Sequence, residues 1–264
     1  MSNWTRPAVT TMLSGLPPLT HGVLNVTSAL PDGMATLPEI FAGAGFATAF
    51  LTANPNTGAV FGFDRGCDVF FDAAAHPLSR LLPTTLGQVA ARLLLRFDRA
   101  SSLGGEVMRF LDAVGSRRFF LVVHYNDPHT PYAPPDPFDR LFVQSRPGRA
   151  SRDPVHIRPQ NEPERQAAIA LYDGEIASLD HALAAVIDQL RTRGLLDRTA
   201  MVFAADHGEE FDEHGGYGHG RTLFEEILRV PLLVRPPGNV VPASVEAAPS
   251  RCSTWRPPCS RWVG

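Results

Sequence analysis

Strand-length apolar runs that end in polar side chains are the feature that most restricts the fold of this 264-residue chain. Met201 to Ala205 is one such run, and Asp206 and His207 follow it directly. Phe46 to Thr52 and Phe119 to Val123 are two more, with segments of helical spacing between the runs. Alternating strand and helix patterns predict an α/β fold with a largely parallel central sheet flanked by helices.

Sequence signals for the start of a helix lie between these apolar runs. Thr36-Leu-Pro-Glu39 is a capping box, and we expect its helix to end near Gly43 or Gly45. Asn161-Glu-Pro-Glu164 predicts the start of a long helix that ends at Gly194 and leads into the strand before Asp206. Val230 to Val234 predicts a further strand.

Composition excludes several classes of protein. The 24 basic and 27 acidic side chains give a net charge of −3, so there is no basic surface of the kind that binds nucleic acid. No run of about 18 apolar residues predicts a membrane segment, and residues 1–11 lack the pattern of a signal peptide. Residues 133–163, with seven prolines, predict a long excursion or lid. Compartment and oligomeric state are not indicated.

The cysteines do not suggest a metal site. Cys67, Cys252 and Cys259 show neither a disulfide framework nor metal-ligand spacing. We interpret Cys67 as a small core residue.

Three strand exits carry polar groups that parallel strands would bring to one edge of the sheet. They are Asn54, then His124 with His129, then Asp206 with His207. Asn54 is also explained by a turn, and His124 by a hydrogen-bonded core histidine.

The loop after Asp206 is rich in glycine and adds two histidines, His214 and His219. A carboxylate beside an imidazole, with further imidazoles nearby, suits a divalent metal and an anionic substrate. Four acidic residues of this loop are interpreted as solvent-exposed: Glu209, Glu210, Asp212 and Glu213.

Thr5 lies at or just before a predicted helix N-terminus, because Pro7 suits the first helical turn and Gly15 the stop. Thr5 could simply cap the helix. A hydroxyl at this position is also well placed to attack an anionic ester, since free backbone N–H groups and the helix dipole stabilise negative charge.

Together these segments resemble the sulfatase branch of the alkaline phosphatase superfamily. The nucleophile motif of that family is Cys or Ser, any residue, Pro, Ser, Arg, with Thr-Gly five and six residues later. Here Thr5, Pro7, Ala8 and Val9 are followed by Ser14-Gly15. The resemblance continues to about residue 238 through five segments: GFATAFLTANP, FDRGCDVFFD, HYNDPHTPY, YDGEIASLD and ADHGEEFDEHGGYGHGRTLFEEILRVPLL.

The resemblance implies roles for several residues. Asp206 and His207 match the metal-binding pair, with Thr5 as nucleophile and further metal ligand. His219 matches the basic residue that contacts the substrate anion, and His129 matches the histidine of the Pro-His step. Asn54, His124, His129, His214 and His219 are the predicted substrate-binding residues.

Departures from the family pattern restrict the chemistry. Classical sulfatases convert the motif Cys or Ser to formylglycine, which threonine cannot become, and Thr5 instead resembles the nucleophile of phosphoglycerol and phosphoethanolamine transferases. Val9 stands in place of the motif Arg, so we expect no positive charge to position the nucleophile.

Both ends also depart from the family. We expect residues 1–244 to form a sulfatase-like catalytic domain that lacks its first metal-binding strand and leaves a sheet edge uncovered. Residues 245–264 are expected to be an irregular, out-of-frame tail, because allowed codons for Ser253 to Gly264 can give DLAPTVLALGG in a shifted frame.

The resemblance implies a metal-dependent hydrolase of sulfuric or phosphoric esters with a hydroxyl nucleophile and a small anionic substrate. Mixed oxygen and nitrogen ligands favour manganese or zinc over calcium or magnesium. One alternative is a phosphoglycerol or phosphoethanolamine transferase or a phosphonate or phosphodiester hydrolase. Another is an inactive remnant or an anion-binding domain.

Overall fold

The computed structural model describes residues 2–73, 100–143 and 158–238. Three predicted features lie outside these residues: Cys252 and Cys259, the 245–264 tail, and positions 144–157 of the predicted excursion.

A parallel sheet forms the centre of the fold. Its strands are β1 (Ala47–Thr52), β2 (Val69–Asp72) and β3 (Phe119–His124), in the order β2-β1-β3. All six residues of β1 are buried, as expected of a strand with a neighbour on each side. The register places Thr52 opposite His124, so the carboxyl ends of β1 and β3 lie at the same edge.

Helices surround this sheet, and the predicted α/β fold is confirmed. The Thr36 N–H donates to Glu39 Oε2 at 2.9 Å, and Asn161 Oδ1 accepts from the Glu164 N–H at 3.0 Å, as their start signals predicted. No described helix is long and apolar enough to cross a membrane. The described helices are α1 (Thr5–Ser14), α2 (Pro18–His21), α3 (Leu37–Gly43), α4 (Ala100–Val114), α5 (Glu162–Thr192) and α6 (Glu225–Leu228).

Strand β1 contributes to cores on both faces of the sheet, because successive side chains of a strand point to opposite faces. Ala49 and Leu51 pack in the cluster that contains Leu103 and Val107 of α4. Phe50 packs on the other face, in a cluster with Val9 and Leu13 of α1. Cys67 is half-buried against that second cluster, in keeping with its predicted core position.

The strand before Asp206 does not join the parallel sheet, contrary to our expectation. Strand β4 (Met201–Ala204) pairs antiparallel with β7 (Leu232–Arg235). Between them lies a short hairpin of β5 (Glu210–Phe211) and β6 (Tyr217–Gly218). Apolar periodicity indicates that a segment is a strand, but tertiary contacts choose its neighbour, so the pairing could not be read from the run itself.

Candidate active site

Thr5 is the first residue of α1, as its sequence context predicted. Trp4 precedes it in an extended conformation, and the side chain of Thr5 is buried with 2% relative exposure. Its Oγ1 lies 3.3 Å from Nε2 of His207, which follows β4. The fold therefore brings together two predicted site residues that are 202 positions apart.

The orientation of His207 is set by its own backbone. Nδ1 lies 2.8 Å from the carbonyl oxygen of Gly208. Because a carbonyl can only accept, Nδ1 carries the proton in this contact and Nε2 of the neutral ring is an acceptor. Nε2 can therefore accept a hydrogen bond from the Thr5 hydroxyl.

Thr11 of α1 and His21 of α2 form a second Thr–His pair, in which the ring proton is on the other nitrogen. Thr11 Oγ1 lies 3.1 Å from His21 Nε2, and both residues are buried. Nδ1 of His21 accepts from the Val23 N–H at 3.0 Å, so Nε2 must carry the proton and donate to Thr11. Since His21 cannot accept the Thr11 proton, this pair serves packing and not nucleophile activation.

Three imidazoles lie together beside Thr5. The ring centroids of His207 and His219 are 4.1 Å apart, and those of His129 and His219 are 5.0 Å apart. Nδ1 of His129 lies 2.6 Å from the Thr130 carbonyl oxygen, and Nδ1 of His219 lies 2.8 Å from Glu209 Oε1. All three rings thus engage an acceptor through Nδ1.

Glu209 is buried, so our interpretation of it as a solvent-exposed loop residue was wrong. It has 9% relative exposure, and its Oε2 accepts from the Tyr132 hydroxyl at 3.0 Å. Burial alone would lower the pKa of His219, but the hydrogen bond and charge of Glu209, with the charge of Asp206, raise it. The sequence alone did not indicate the contact between Glu209 and His219, because nothing in the sequence distinguishes Glu209 from the neighbouring acidic residues of the loop.

Glu210 is buried as well, at 1% relative exposure, which corrects the same interpretation. Its carboxylate accepts from the Thr222 hydroxyl at 2.8 Å and from the Gly216 N–H at 3.0 Å. The bond from Gly216 holds the turn between β5 and β6, and the bond from Thr222 ties β5 to the segment after β6. Asp212 pairs with Arg158 at the surface, and Glu213 Oε2 accepts from the Phe211 N–H.

The ends of β1 and β3 meet, as the parallel sheet predicted. Nδ1 of His124 lies 3.0 Å from Thr57 Oγ1 and 3.4 Å from Thr52 Oγ1. Loss of solvation lowers the pKa of His124, the charge of Asp206 opposes this, and nearby His207 adds to it. Asn54 is buried at 4% exposure, and its Oδ1 accepts from the Asn56 N–H, which is the turn role that its sequence also allowed.

His214 lies apart from the three imidazoles in its described contacts. Its ring stacks on Phe224 with centroids 3.8 Å apart, and its Nδ1 lies 3.7 Å from Glu226 Oε2. Its side chain is 41% exposed.

Arg6 supplies a buried positive charge directly after Thr5. Its guanidinium donates to the backbone carbonyls of Asn56 at 3.0 Å and Ser28 at 3.1 Å, and lies 3.3 Å from the Phe61 ring centroid. These contacts tie the start of α1 to the 25–28 and 54–56 loops. The charge is therefore used to position backbone.

His207 lies at the distance from Thr5 and from Asp206 that is expected of donors to one metal ion. Ligands about 2.1 Å from a tetrahedral ion lie about 3.4 Å from one another. His207 Nε2 is 3.3 Å from Thr5 Oγ1 and 3.5 Å from Asp206 Oδ2. These two distances are compatible with a divalent ion, although no group of three or more His, Cys, Asp or Glu converges in the described residues.

The chain is similar in sequence to curated proteins of known name. The endo-4-O-sulfatase of Bacteroides thetaiotaomicron is 27% identical over 148 residues, covering 52% of this chain and 28% of that protein. The multifunctional alkaline phosphatase superfamily protein PehA of Trinickia caryophylli is 23% identical, covering 66% of this chain and 40% of that protein. This chain therefore spans less than half the length of these curated relatives.

The fold is shared with a solved enzyme. The phosphonate monoester hydrolase SpPMH from Silicibacter pomeroyi superposes with a TM-score of 0.74 at 19% identity, covering 99% of this chain and 64% of that chain. The family description "Sulfatase" matches residues 1–254, and the chain belongs to the sulfatase family.

Proposed function

We propose that this chain provides the catalytic centre of a hydrolase that cleaves sulfuric or phosphoric esters through Thr5. The observation that carries the proposal is the contact of Thr5 Oγ1 with His207 Nε2 at 3.3 Å, at the first residue of α1. A buried hydroxyl at a helix N-terminus, facing an imidazole acceptor, is the arrangement expected of an activated nucleophile.

The proposed reaction has two stages. Oγ1 of Thr5, once its proton has been lost to solvent, attacks the central atom of the ester, and the bond to the leaving oxygen breaks as a protonated imidazole donates a proton to that oxygen. His129 and His219 hold the oxygens of the anion by donating from Nε2 when their rings carry a proton on both nitrogens. Water then gives a proton back to the imidazole, attacks the central atom, displaces Oγ1 of Thr5 and releases the acid.

Sulfatase-family members generally depend on a metal ion. We propose that Asp206, His207 and Thr5 bind it here. The Nε2 lone pair of His207, which faces the Thr5 hydroxyl when no ion is bound, would then be a metal ligand, and the ion would lower the pKa of the hydroxyl. The mixture of oxygen and nitrogen donors favours manganese or zinc.

Phosphorus esters are the better substrates on chemical grounds. Threonine cannot form the formylglycine hemiacetal through which classical sulfatases release sulfate, whereas a phosphorylated threonine is hydrolysed by attack at phosphorus. Transfer to an acceptor alcohol in place of water is the second candidate, because Thr5 resembles the nucleophile of phosphoglycerol and phosphoethanolamine transferases.

The test of the nucleophile compares p-nitrophenyl phosphate, phenylphosphonate and sulfate esters with wild type and Thr5→Ala. Thr11→Ala is the matched control, because it removes a buried hydroxyl that faces a histidine of the opposite tautomer. We expect Thr5→Ala to abolish turnover and Thr11→Ala to retain it. Equal turnover in Thr5→Ala and wild type would refute the assignment.

The test of the metal site is elemental analysis of protein purified without chelator and then dialysed. We expect manganese or zinc to bind weakly in wild type and to be lost in Asp206→Ala. Asp212→Ala is the control, since that carboxylate pairs with Arg158. Retention of a stoichiometric ion by Asp206→Ala would contradict the proposed ligands.

An anion-binding domain without catalysis is the competing function. It predicts that phosphate or sulfate binds in calorimetry, that His219→Ala weakens this binding, and that none of the three ester classes is turned over.

A further inference from the structure

We propose that Glu209 is a positioning residue that holds the ring of His219 by accepting a hydrogen bond from Nδ1–H, so that Nε2 is the nitrogen presented to the substrate anion. This inference rests on the proposed function of His219. Its structural part can nevertheless be tested without any turnover.

The contact with Glu209 determines which nitrogen of the His219 ring carries a proton. Oε1 lies 2.8 Å from Nδ1, and both side chains are largely buried, with 5% exposure for Glu209 and 15% for His219. A carboxylate can only accept, so Nδ1 carries a proton and Nε2 is the nitrogen left for the site. His129 and His207 reach the same arrangement through backbone carbonyls, and His219 does so through a side chain that can be substituted.

Tyr132 anchors Glu209 from the other side. Its hydroxyl, on a side chain with 3% exposure, donates to Oε2 at 3.0 Å. Both oxygens of Glu209 are therefore engaged, one by Tyr132 and one by His219. With two fixed partners the carboxylate cannot rotate freely, and the ring of His219 is held beside His207 and His129.

Glu210, the next residue and the first of β5, provides a matched comparison. It is also a buried glutamate, but its oxygens accept from the backbone N–H groups of His214 and Gly216 in the β5–β6 turn and from the hydroxyl of Thr222 after β6. A general loss of loop stability should follow substitution at either position. An effect on His219 should follow only at Glu209.

The experiment measures the tautomer of His219 by long-range ¹H–¹⁵N NMR at an alkaline pH where the ring is neutral, with the signal assigned by His219→Gln. We expect wild type and Glu210→Ala to show Nδ1–H. In Glu209→Ala the population should shift to Nε2–H, the form that free histidine prefers in water. Glu209→Leu, which is of similar size and has no hydrogen-bond acceptor, replaces Glu209→Ala if that variant does not fold.

Kinetics provide the second measurement. Loss of an orienting partner typically costs about 10- to 100-fold, so we expect a decrease of that size in kcat/KM for Glu209→Ala. Tyr132→Phe should keep the Nδ1–H tautomer and lose less activity. If Glu209→Ala retains Nδ1–H, or loses no more kcat/KM than Glu210→Ala, the positioning role is refuted.

The two proposals fail in different ways. Absence of turnover in wild type, or full activity in Thr5→Ala, would overturn the proposed function and leave the tautomer comparison intact. An unchanged tautomer in an otherwise active Glu209→Ala variant would overturn only the role of Glu209.

Discussion

Arg6→Met should destabilise the fold substantially, because Arg6 is one of the most deeply buried side chains, at 2% exposure. Its guanidinium donates to the backbone oxygens of Asn56, Asn25, Val26 and Ser28. Methionine conserves much of the apolar stem, but it removes every donor and the guanidinium that lies over the Phe61 ring.

The magnitude follows from the carbonyls left behind. A buried acceptor without a partner costs about 1–3 kcal/mol. Two or three such groups would cost more, but the variant no longer desolvates a charge, which offsets part of the loss. We therefore expect a net decrease of about 3 kcal/mol in the free energy of unfolding. At roughly 2–4 °C per kcal/mol for a chain of this size, Tm should fall by roughly 6–12 °C.

Thermal and urea unfolding followed by circular dichroism measure this change. Arg65→Met is the matched control, since Arg65 also donates to loop carbonyls, those of Pro31 and Met34, but its side chain is 25% exposed. Water can replace its donors, so we expect a loss of about 1 kcal/mol or less. The reasoning fails if Arg6→Met lowers Tm no more than Arg65→Met does.

Three further predictions follow from burial. Gly208→Ala should lower the free energy of unfolding in urea by about 1–3 kcal/mol, because the new Cβ would lie 1.9 Å from the Glu226 carbonyl oxygen. In Gly43→Ala the new Cβ meets nothing within 4 Å, so this control should be neutral or stabilising. Equal stability of the two variants would contradict this. Phe50→Ala should cost about 3–5 kcal/mol, since Phe50 is fully buried, against almost nothing for Val60→Ala at 80% exposure. Burial, with the charges of Asp64, Asp68 and Glu39, raises the pKa of Cys67 to about 12. The thiolate forms only as pH approaches that value, so iodoacetamide at pH 8 should leave Cys67 unmodified in the folded protein and alkylate it in urea, as measured by mass spectrometry. Rapid labelling of the folded form would show instead that the thiol is accessible and ionised.

The sequence predicted the local elements well where a periodic pattern and a start signal coincide. The capping box before α3 and Asn161 before α5 set helix starts within one or two residues, because these signals act through bonds between near neighbours. Strands β1 and β3 were predicted from their apolar runs. Helix α4 and strand β2 were not predicted as elements.

Which side chains would form the candidate site was partly predictable. Parallel strands end at one edge, so Asn54 and His124 were expected to approach, and the motif spacing singled out Thr5, His129, Asp206, His207 and His219 before any contact was known. The roles of these residues remain predictions until the variants are measured.

Three features were decided by tertiary structure alone. Strand β4 pairs with β7, and a strand pattern carries no information about its partner. Glu209 is buried against Tyr132 while Asp212, three residues later, meets Arg158 near the surface, although both are acidic residues of one loop. The tautomers of His207 and His21 are opposite because one Nδ1 faces a carbonyl and the other an N–H. Sequence determines which groups are available over a few residues, whereas burial and hydrogen-bond partners depend on chain segments that meet only in the folded state.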